Sequence, residues 1–167
     1  RLLFWQLCQN LIRRKFKLME FSEEPLCQCL DEAKPLLVDH WENIALNKDT
    51  IALDPLWDTY KKLEETGNLK IITARQEEKL VGYAAYVISP SLHYSDQIIA
   101  DADVFWLDPD YRKGMAGMRL FKQAEKVLKS YGVTVVLNKV KIHFDVGKVF
   151  ERMGYKPIER VYSKSLV

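Results

Sequence analysis

The stretch from Ala100 to Tyr131, ADADVFWLDPDYRKGMAGMRLFKQAEKVLKSY, constrains the fold more than any other part of the chain. An apolar, β-rich run (Val104, Phe105, Trp106, Leu107) breaks at Asp108-Pro109-Asp110 and passes through Arg112-Lys113-Gly114-Met115-Ala116-Gly117. Apolar residues then recur at three- and four-residue steps at Met118, Phe121, Ala124, Leu128 and Tyr131, the period of a helix with one buried face. Lys122, Glu125, Lys126 and Lys129 fall on the opposite, solvent face, and Gly132 ends the helix. The pattern predicts a strand, a basic turn of small residues and a helix.

Such a turn suits an anion. Gly114, Ala116 and Gly117 keep side chains out of the way of backbone N–H groups that have no partner within the helix. The helix dipole and the charges of Arg112 and Lys113 add at the same point. The same spacing also serves a tight turn that packs a helix on a sheet. No Gly-Lys-Ser/Thr follows, so this is not a P-loop, and the GxGxxG spacing of a dinucleotide fold is missing.

At these residues the chain resembles the GNAT superfamily of acyl-CoA-dependent N-acyltransferases, whose signature Gln/Arg-x-x-Gly-x-Gly/Ala opens the helix after the fourth strand. Tyr111-Arg112-Lys113-Gly114-Met115-Ala116 meets it at Gly114 and Ala116; Tyr111 stands at the Gln/Arg position, with Arg112 beside it. Leu107 to Arg112 resembles the family's strand exit, and Val149-Phe150-Glu151-Arg152-Met153-Gly154-Tyr155 resembles its Leu-Tyr-x-x-x-Gly-Phe near the C-terminus. The resemblance covers residues 33 to the end. It implies acetyl-CoA (CoA) as cosubstrate, with the pyrophosphate on the backbone of Arg112, Lys113, Gly114, Met115, Ala116 and Gly117, and no metal.

The 167 residues, 48% hydrophobic and 29% charged, suffice for one globular domain with a sizeable core. The net charge of +2 is unevenly spread: residues 1–18 carry five Lys/Arg and no acid, which leaves 20 bases against 23 acids, or −3, over 19–167. By charge the body is not a nucleic-acid binder. Residues 1–18 are set apart as an extension, too short in their apolar part to span a bilayer and with the charges on the wrong side for a secretory signal. An amphipathic membrane- or partner-binding helix is the alternative for that segment. Cys8, Cys27 and Cys29 form no zinc pattern, and without a signal peptide a reducing cytoplasm is the default.

Residues 27–47 read as a helix with Pro35 as a kink or boundary, and Asp54 as the cap of a short helix through Tyr60 to Glu65. Runs 69–75, 80–88 and 98–107 read as an antiparallel meander, 133–142 as a strand, 144–153 as a helix and 155–165 as a last strand interrupted near Pro157. Strands in a run followed by strands alternating with helices predict an α/β sandwich (α+β mixed sheet), with a mostly antiparallel central sheet flanked by helices. This is also the GNAT order.

Acetyl transfer from a thioester to an amine needs a neutral amine, an acceptor for its proton and N–H donors for the developing oxyanion. In the family the central strand splays from its neighbour, and its free amides hold the pantetheine and the thioester carbonyl; carried over, these are the backbones of Phe105, Trp106 and Leu107. Asp103 stands where many members place a Glu that takes the proton directly or through water, and Asp101 shares its parity on the strand. Acids in an edge strand are also commonly just solvated. The first helices of GNAT proteins cover the acceptor site, which implies His40, Glu42 and Trp57 as substrate-side groups.

One family part is missing, because the Tyr that protonates the leaving thiolate aligns with Phe150, which has no proton to give, and His143 replaces an Asn. The thiolate leaves unprotonated or with a water's help, or Tyr155 or another donor substitutes, or the protein binds acyl-CoA without efficient turnover. A thiol's low pKa favours the first. The expected activity is N-acetyl transfer from acetyl-CoA to a small-molecule or peptide amine, with no nucleic acid or membrane as partner and homodimerisation left open. A non-catalytic acyl-CoA-binding or protein-interaction module on the same fold is the rival.

Overall fold

The computed structural model describes residues 19–46 and 48–166. Within them a five-stranded sheet runs in the order β1 (Glu20–Glu23), β2 (Leu69–Gln76), β3 (Lys79–Pro90), β4 (Ile98–Leu107) and β5 (Val135–Leu137). Only β4 and β5 are parallel. Helices α1 (Leu26–Ile44), α2 (Trp57–Glu65), α3 (Ala116–Ser130) and α4 (Gly147–Arg152) complete the mixed α/β architecture. The extension 1–18 lies outside the described residues.

Each face of the sheet carries its own core. On one, α3 sets Ala116, Leu120, Ala124, Val127 and Leu128 against Ile72, Ala74, Val81, Ala84, Tyr86, Ala100 and Ala102. On the other, Leu26, Cys29, Leu36 and Ile44 of α1 meet Leu69, Ile71, Leu80, Tyr83, Ala85 and Trp106, with Tyr60 and Leu63 of α2 at the margin. Strand alternation sends neighbours of β3 to opposite cores, which is why a strand buried on both faces reads as a nearly continuous apolar run.

Several boundaries differ from the expectation. β1 is a strand that EFSE hardly announces; it forms because Phe21 packs on the α3 side while the strand's backbone pairs with Ile72 to Arg75. α1 runs through Pro35 without interruption. Asp54 caps nothing: α2 begins after Leu56 with no side-chain cap, and Glu64 instead reaches across to accept the Leu26 N–H at 2.6 Å, satisfying the start of α1. Tyr131 is 47% exposed rather than buried, its ring under the Lys70 ammonium and its hydroxyl donating to Glu23. The strand expected over 133–142 shrinks to three residues and the helix expected over 144–153 to six. Residues 155–166 form no strand and are mostly exposed; β5 offers a short edge, Pro157 lacks a donor, and Lys156, Glu159, Arg160 and Lys164 are charged.

β3 and β4 approach closely at Gly82. A Cβ there would lie 2.8 Å from the Trp106 carbonyl and 2.7 Å from Leu107 Cδ1. Gly82→Ala is therefore expected to lower unfolding free energy by about 1–3 kcal/mol through overpacking. Denaturant melts check it, and an unchanged midpoint would mean that the strand pair yields freely.

Candidate active site

β4 changes character along its length. Ile99, Ala100 and Asp101 pair with Val135, Val136 and Leu137 of β5, and there the pairing stops. From Ala102 to Leu107 the strand keeps β3 on one side and has no strand on the other among the described residues. Asp103 is the extra residue of a bulge: Ala102 pairs with Tyr86 and Val104 with Ala85, which leaves Asp103 opposite nothing. The Asp108 N–H donates to Val81 O at 2.9 Å, and the Trp106 carbonyl faces Gly82. By alternation the Trp106 peptide groups face β3, while the N–H groups of Phe105 and Leu107 face the open edge.

The chain leaves this edge through a 3-10 turn at Pro109–Tyr111, where Asp108 accepts the Asp110 N–H at 2.9 Å. Gly114 has φ 61°, a left-handed conformation suited to glycine, and the N-cap of α3, Met115, provides no side-chain cap. The Ala116 N–H donates to Lys113 O at 3.4 Å, which leaves the Gly117 and Met118 N–H groups of the first turn for a ligand, at a site where a Cβ on Gly114 or Gly117 would meet nothing within 4 Å. A cavity of about 290 Å³ opens beside the turn, with Lys113, Met115, Ala116, Arg119 and Gln76 on its walls. Arg119 holds Met19 O at 3.2 Å with its guanidinium 4.9 Å from the Phe21 ring. The Arg112 side chain does not join the turn. Its Nε donates to Leu107 O at 2.6 Å, and its guanidinium lies 4.2 Å over the Trp106 ring and 5.4 Å from Phe144.

On the α1 and α2 side the acids separate. The Tyr60 hydroxyl donates to Asp103 Oδ2, and Trp57 leans on Tyr60 at 5.7 Å. Asp101 instead holds Lys139 at 2.6 Å, and its Oδ1 is buried without a partner. The two acids share a face of β4, but Asp101 lies where β5 still pairs and Lys139 reaches it, whereas Asp103 lies past that pairing and meets Tyr60 of α2. His40 stacks on Trp106 at 5.0 Å with its Nδ1 3.1 Å from the Tyr83 hydroxyl, so the Trp106 ring touches both His40 and Arg112. The Trp106 Nε1–H is buried without an acceptor. Glu42 lies apart, bound to Lys48. His143 donates from Nε2 to Ile44 O at 3.0 Å, which fastens the Ile142–Phe144 turn to the end of α1.

Burial sets the protonation states. It pushes the His40 imidazolium down to about 4, with help from the charges of Arg112 and Lys141. Burial raises both Tyr60 and Tyr83 well above the usual phenol range, and the Asp103 carboxylate adds to both. It also lowers the Arg112 guanidinium, against the opposing charge of Asp108. Tyr60, Tyr83 and the inward turn of Arg112 were not legible in sequence; Trp57 and Tyr60 at i, i+3 was the only sign that α2 presents an aromatic face here.

Residues 31–155 match the family described as Acetyltransferase (GNAT) family. The chain belongs to this family. It is an acyl-CoA-dependent N-acetyltransferase by class, and its sheet and helices have the GNAT arrangement. Among solved structures it is similar to an aminoglycoside acetyltransferase from an uncultured soil metagenomic sample in complex with trehalose (13% identity, 91% of this chain and 99% of that one, TM-score 0.71). It is also similar to a ribosomal-protein-alanine N-acetyltransferase from Brucella melitensis biovar Abortus 2308 (16% identity, 90% and 100%, TM-score 0.68). A predicted acetyltransferase from Clostridium acetobutylicum, solved with acetyl-CoA, gives 13% identity, 89% and 97% coverage and a TM-score of 0.66. No curated protein matches. Among the described residues no cluster of His, Cys, Asp or Glu could hold a metal, and no helix is long and apolar enough to cross a membrane.

In this GNAT domain the other side of the open edge is an aromatic wall. Phe105, Phe121 and Phe150 lie 4.6–5.9 Å apart, with Tyr155 5.4 Å from Phe150. Burial raises the Tyr155 phenol, and the Glu125 carboxylate adds to the shift.

His40 gives the site a pH signature. With a native pKa of about 4 against an ordinary value near 6.5, the unfolded chain binds the proton that the native one refuses between these values. Stability is expected to be full above pH 6.5 and to fall as pH drops towards 4, and His40→Gln should flatten that slope. Denaturant midpoints at stepped pH test it; equal slopes in both proteins would place His40 in solvent.

Proposed function

We propose that this GNAT enzyme transfers an acetyl group from acetyl-CoA to a primary amine by direct attack within a ternary complex. The observation that carries the reading is Asp103, an acid on a bulge at the point where β4 loses its β5 partner, oriented by the Tyr60 hydroxyl. Oδ2 is occupied by Tyr60, and Oδ1 is left for the amine or for a water between them.

The cosubstrate's pyrophosphate takes the N–H groups from Gly114 to Gly117 and the Lys113 ammonium, and its pantetheine lies along the open edge of β4. The amine nitrogen attacks the thioester carbon, forming the C–N bond as the C–S bond breaks. Its proton passes to Asp103, and negative charge on the carbonyl oxygen is met by N–H groups of Phe105 and Leu107. CoA leaves as a thiolate that takes its proton from water. The acceptor is a small-molecule or peptide amine, on the side of β4 walled by Tyr60, Trp57 and His40. Asp101, held by Lys139, has no part in the proton transfer.

Asp103→Asn should lower kcat by about 10²-fold or more, the scale of lost general base assistance, with CoA affinity almost unchanged. Thiol release across an amine panel measures it, and parental rates at every pH would remove Asp103 from the reaction. Gly114→Glu should abolish CoA binding, since the added carboxylate repels phosphate; the left-handed φ of 61° adds about 1–2 kcal/mol of strain, and a thermal melt checks that the variant is folded. Calorimetry decides: retained CoA affinity would remove the turn from the cosubstrate site. Tight CoA binding by the parent with no thiol release to any amine would favour the non-catalytic reading that Phe150 suggests.

A further inference from the structure

We infer that the acceptor is an amine carrying a carboxylate, its nitrogen at Asp103 and its carboxylate at Arg112 over the Trp106 ring. The inference rests on the acetyl transfer proposed above and adds the acceptor's chemical class.

Three observations carry it. First, the bulge at Asp103 brings Asp103, Val104 and Trp106 to the α1 and α2 side of the sheet, where Tyr60 and His40 meet them. The acid and the indole are three residues apart on one strand, so the two ends of the site are separated by about 10 Å. Second, the Trp106 end is built of donors. The Arg112 guanidinium spends only its Nε on a backbone carbonyl, and none of the salt bridges among the described residues includes it. Lys141 adds positive charge close enough to depress His40, and Asp108 is the one acid whose charge bears on Arg112. Third, the Trp106 indole is 3% exposed and its Nε1–H has no acceptor, a buried donor that native structures rarely leave unmet.

A guanidinium whose carbon sits 4.2 Å over an aromatic ring, with only its Nε spent, keeps a fork of N–H groups for a carboxylate and repels a second ammonium. At the other end Asp103 attracts the amine. The two ends therefore select an aminocarboxylate over a plain amine and over a polycation such as a diamine.

The test uses the full chain loaded with CoA, and 6-aminohexanoate, hexylamine and 1,5-diaminopentane as probes. Calorimetry reads binding without requiring turnover. The parent should bind 6-aminohexanoate about tenfold or more tighter than either other amine, and Arg112→Gln should cut that preference by about tenfold, the scale of a lost charged hydrogen bond. Lys141→Gln should cut it less. If Arg112→Gln does not fold, the parental preference and the Lys141→Gln effect carry the decision. Equal or tighter binding of hexylamine or the diamine by the parent overturns the inference, as does a preference that survives in both variants. Thiol release run alongside separates the two proposals. Arginine-dependent binding of the aminocarboxylate with no thiol release would sink the transfer and keep the site, whereas faster release with the diamine would do the reverse.

Discussion

The parting of β4 from β5 after the Asp101 and Leu137 pair governs everything else in this structure. A central strand normally spends its N–H groups on both neighbours, because an unpaired buried backbone donor is costly. Here β5 runs for three residues only, and the chain turns aside at Asn138. The N–H groups of Phe105 and Leu107 are left facing a gap, next to a glycine turn whose helix start is also uncapped. Two sets of unmet donors on one line define a slot for an extended ligand rich in acceptor oxygens.

Holding that gap open requires the rest of the sheet to be rigid. Arg75 grips Glu24 with Nε at 2.7 Å and Nη2 at 2.9 Å, and reaches Glu32 of α1 at 2.8 Å. Glu32 in turn accepts the Leu80 N–H at 3.0 Å, and this hydrogen bond, ahead of Arg75, holds its carboxyl below the usual range. Arg75 is the main reason that the Glu24 carboxyl is lowered as well. The start of α1 is thereby fastened to β2 and β3, and the end of α1 to the Phe144 turn by His143. With both ends fixed, His40 is set against Trp106 rather than left on a mobile helix face.

Much of the fold could be read from the chain because its longest elements have strong periods. The three strands of the meander and α3 were legible from apolar runs, turn residues and a helical stripe. What escaped were elements made by tertiary context. Nothing local in EFSE marks a strand, since Phe21 gains its place from α3. Leu120 and Val127 join the buried stripe while Met118 and Tyr131 fall outside it, so the stripe is rotated relative to the expected one. At the site, the glycine turn was legible from composition, whereas the distinction between Asp101 and Asp103 was not. The two acids share parity, and no residue type between 100 and 105 announces that β5 stops at Asp101 or that Tyr60 of α2 meets Asp103. The Arg112 backbone belongs to the turn, while its side chain reaches the Leu107 carbonyl and the Trp106 ring, contacts that no neighbour in sequence announces.

Phe150 bears on the proposed chemistry in a way that its lack of a proton does not exhaust. It is 5% exposed, and with Phe105 and Phe121 it closes the slot on the side away from Asp103. An apolar wall there lowers the local dielectric, which strengthens the field of the Phe105 and Leu107 N–H groups on a carbonyl oxygen. The same wall would penalise an anionic leaving group held against it. A thiolate tolerates this better than an alkoxide would, because its pKa lies several units lower and its charge escapes readily to water at the open end. Burial raises the Tyr155 phenol, which makes it a weaker acid for the leaving sulfur although its ring packs 5.4 Å from Phe150. The proposed division of labour follows: protein groups take the amine's proton and steady the oxygen, and solvent receives the sulfur.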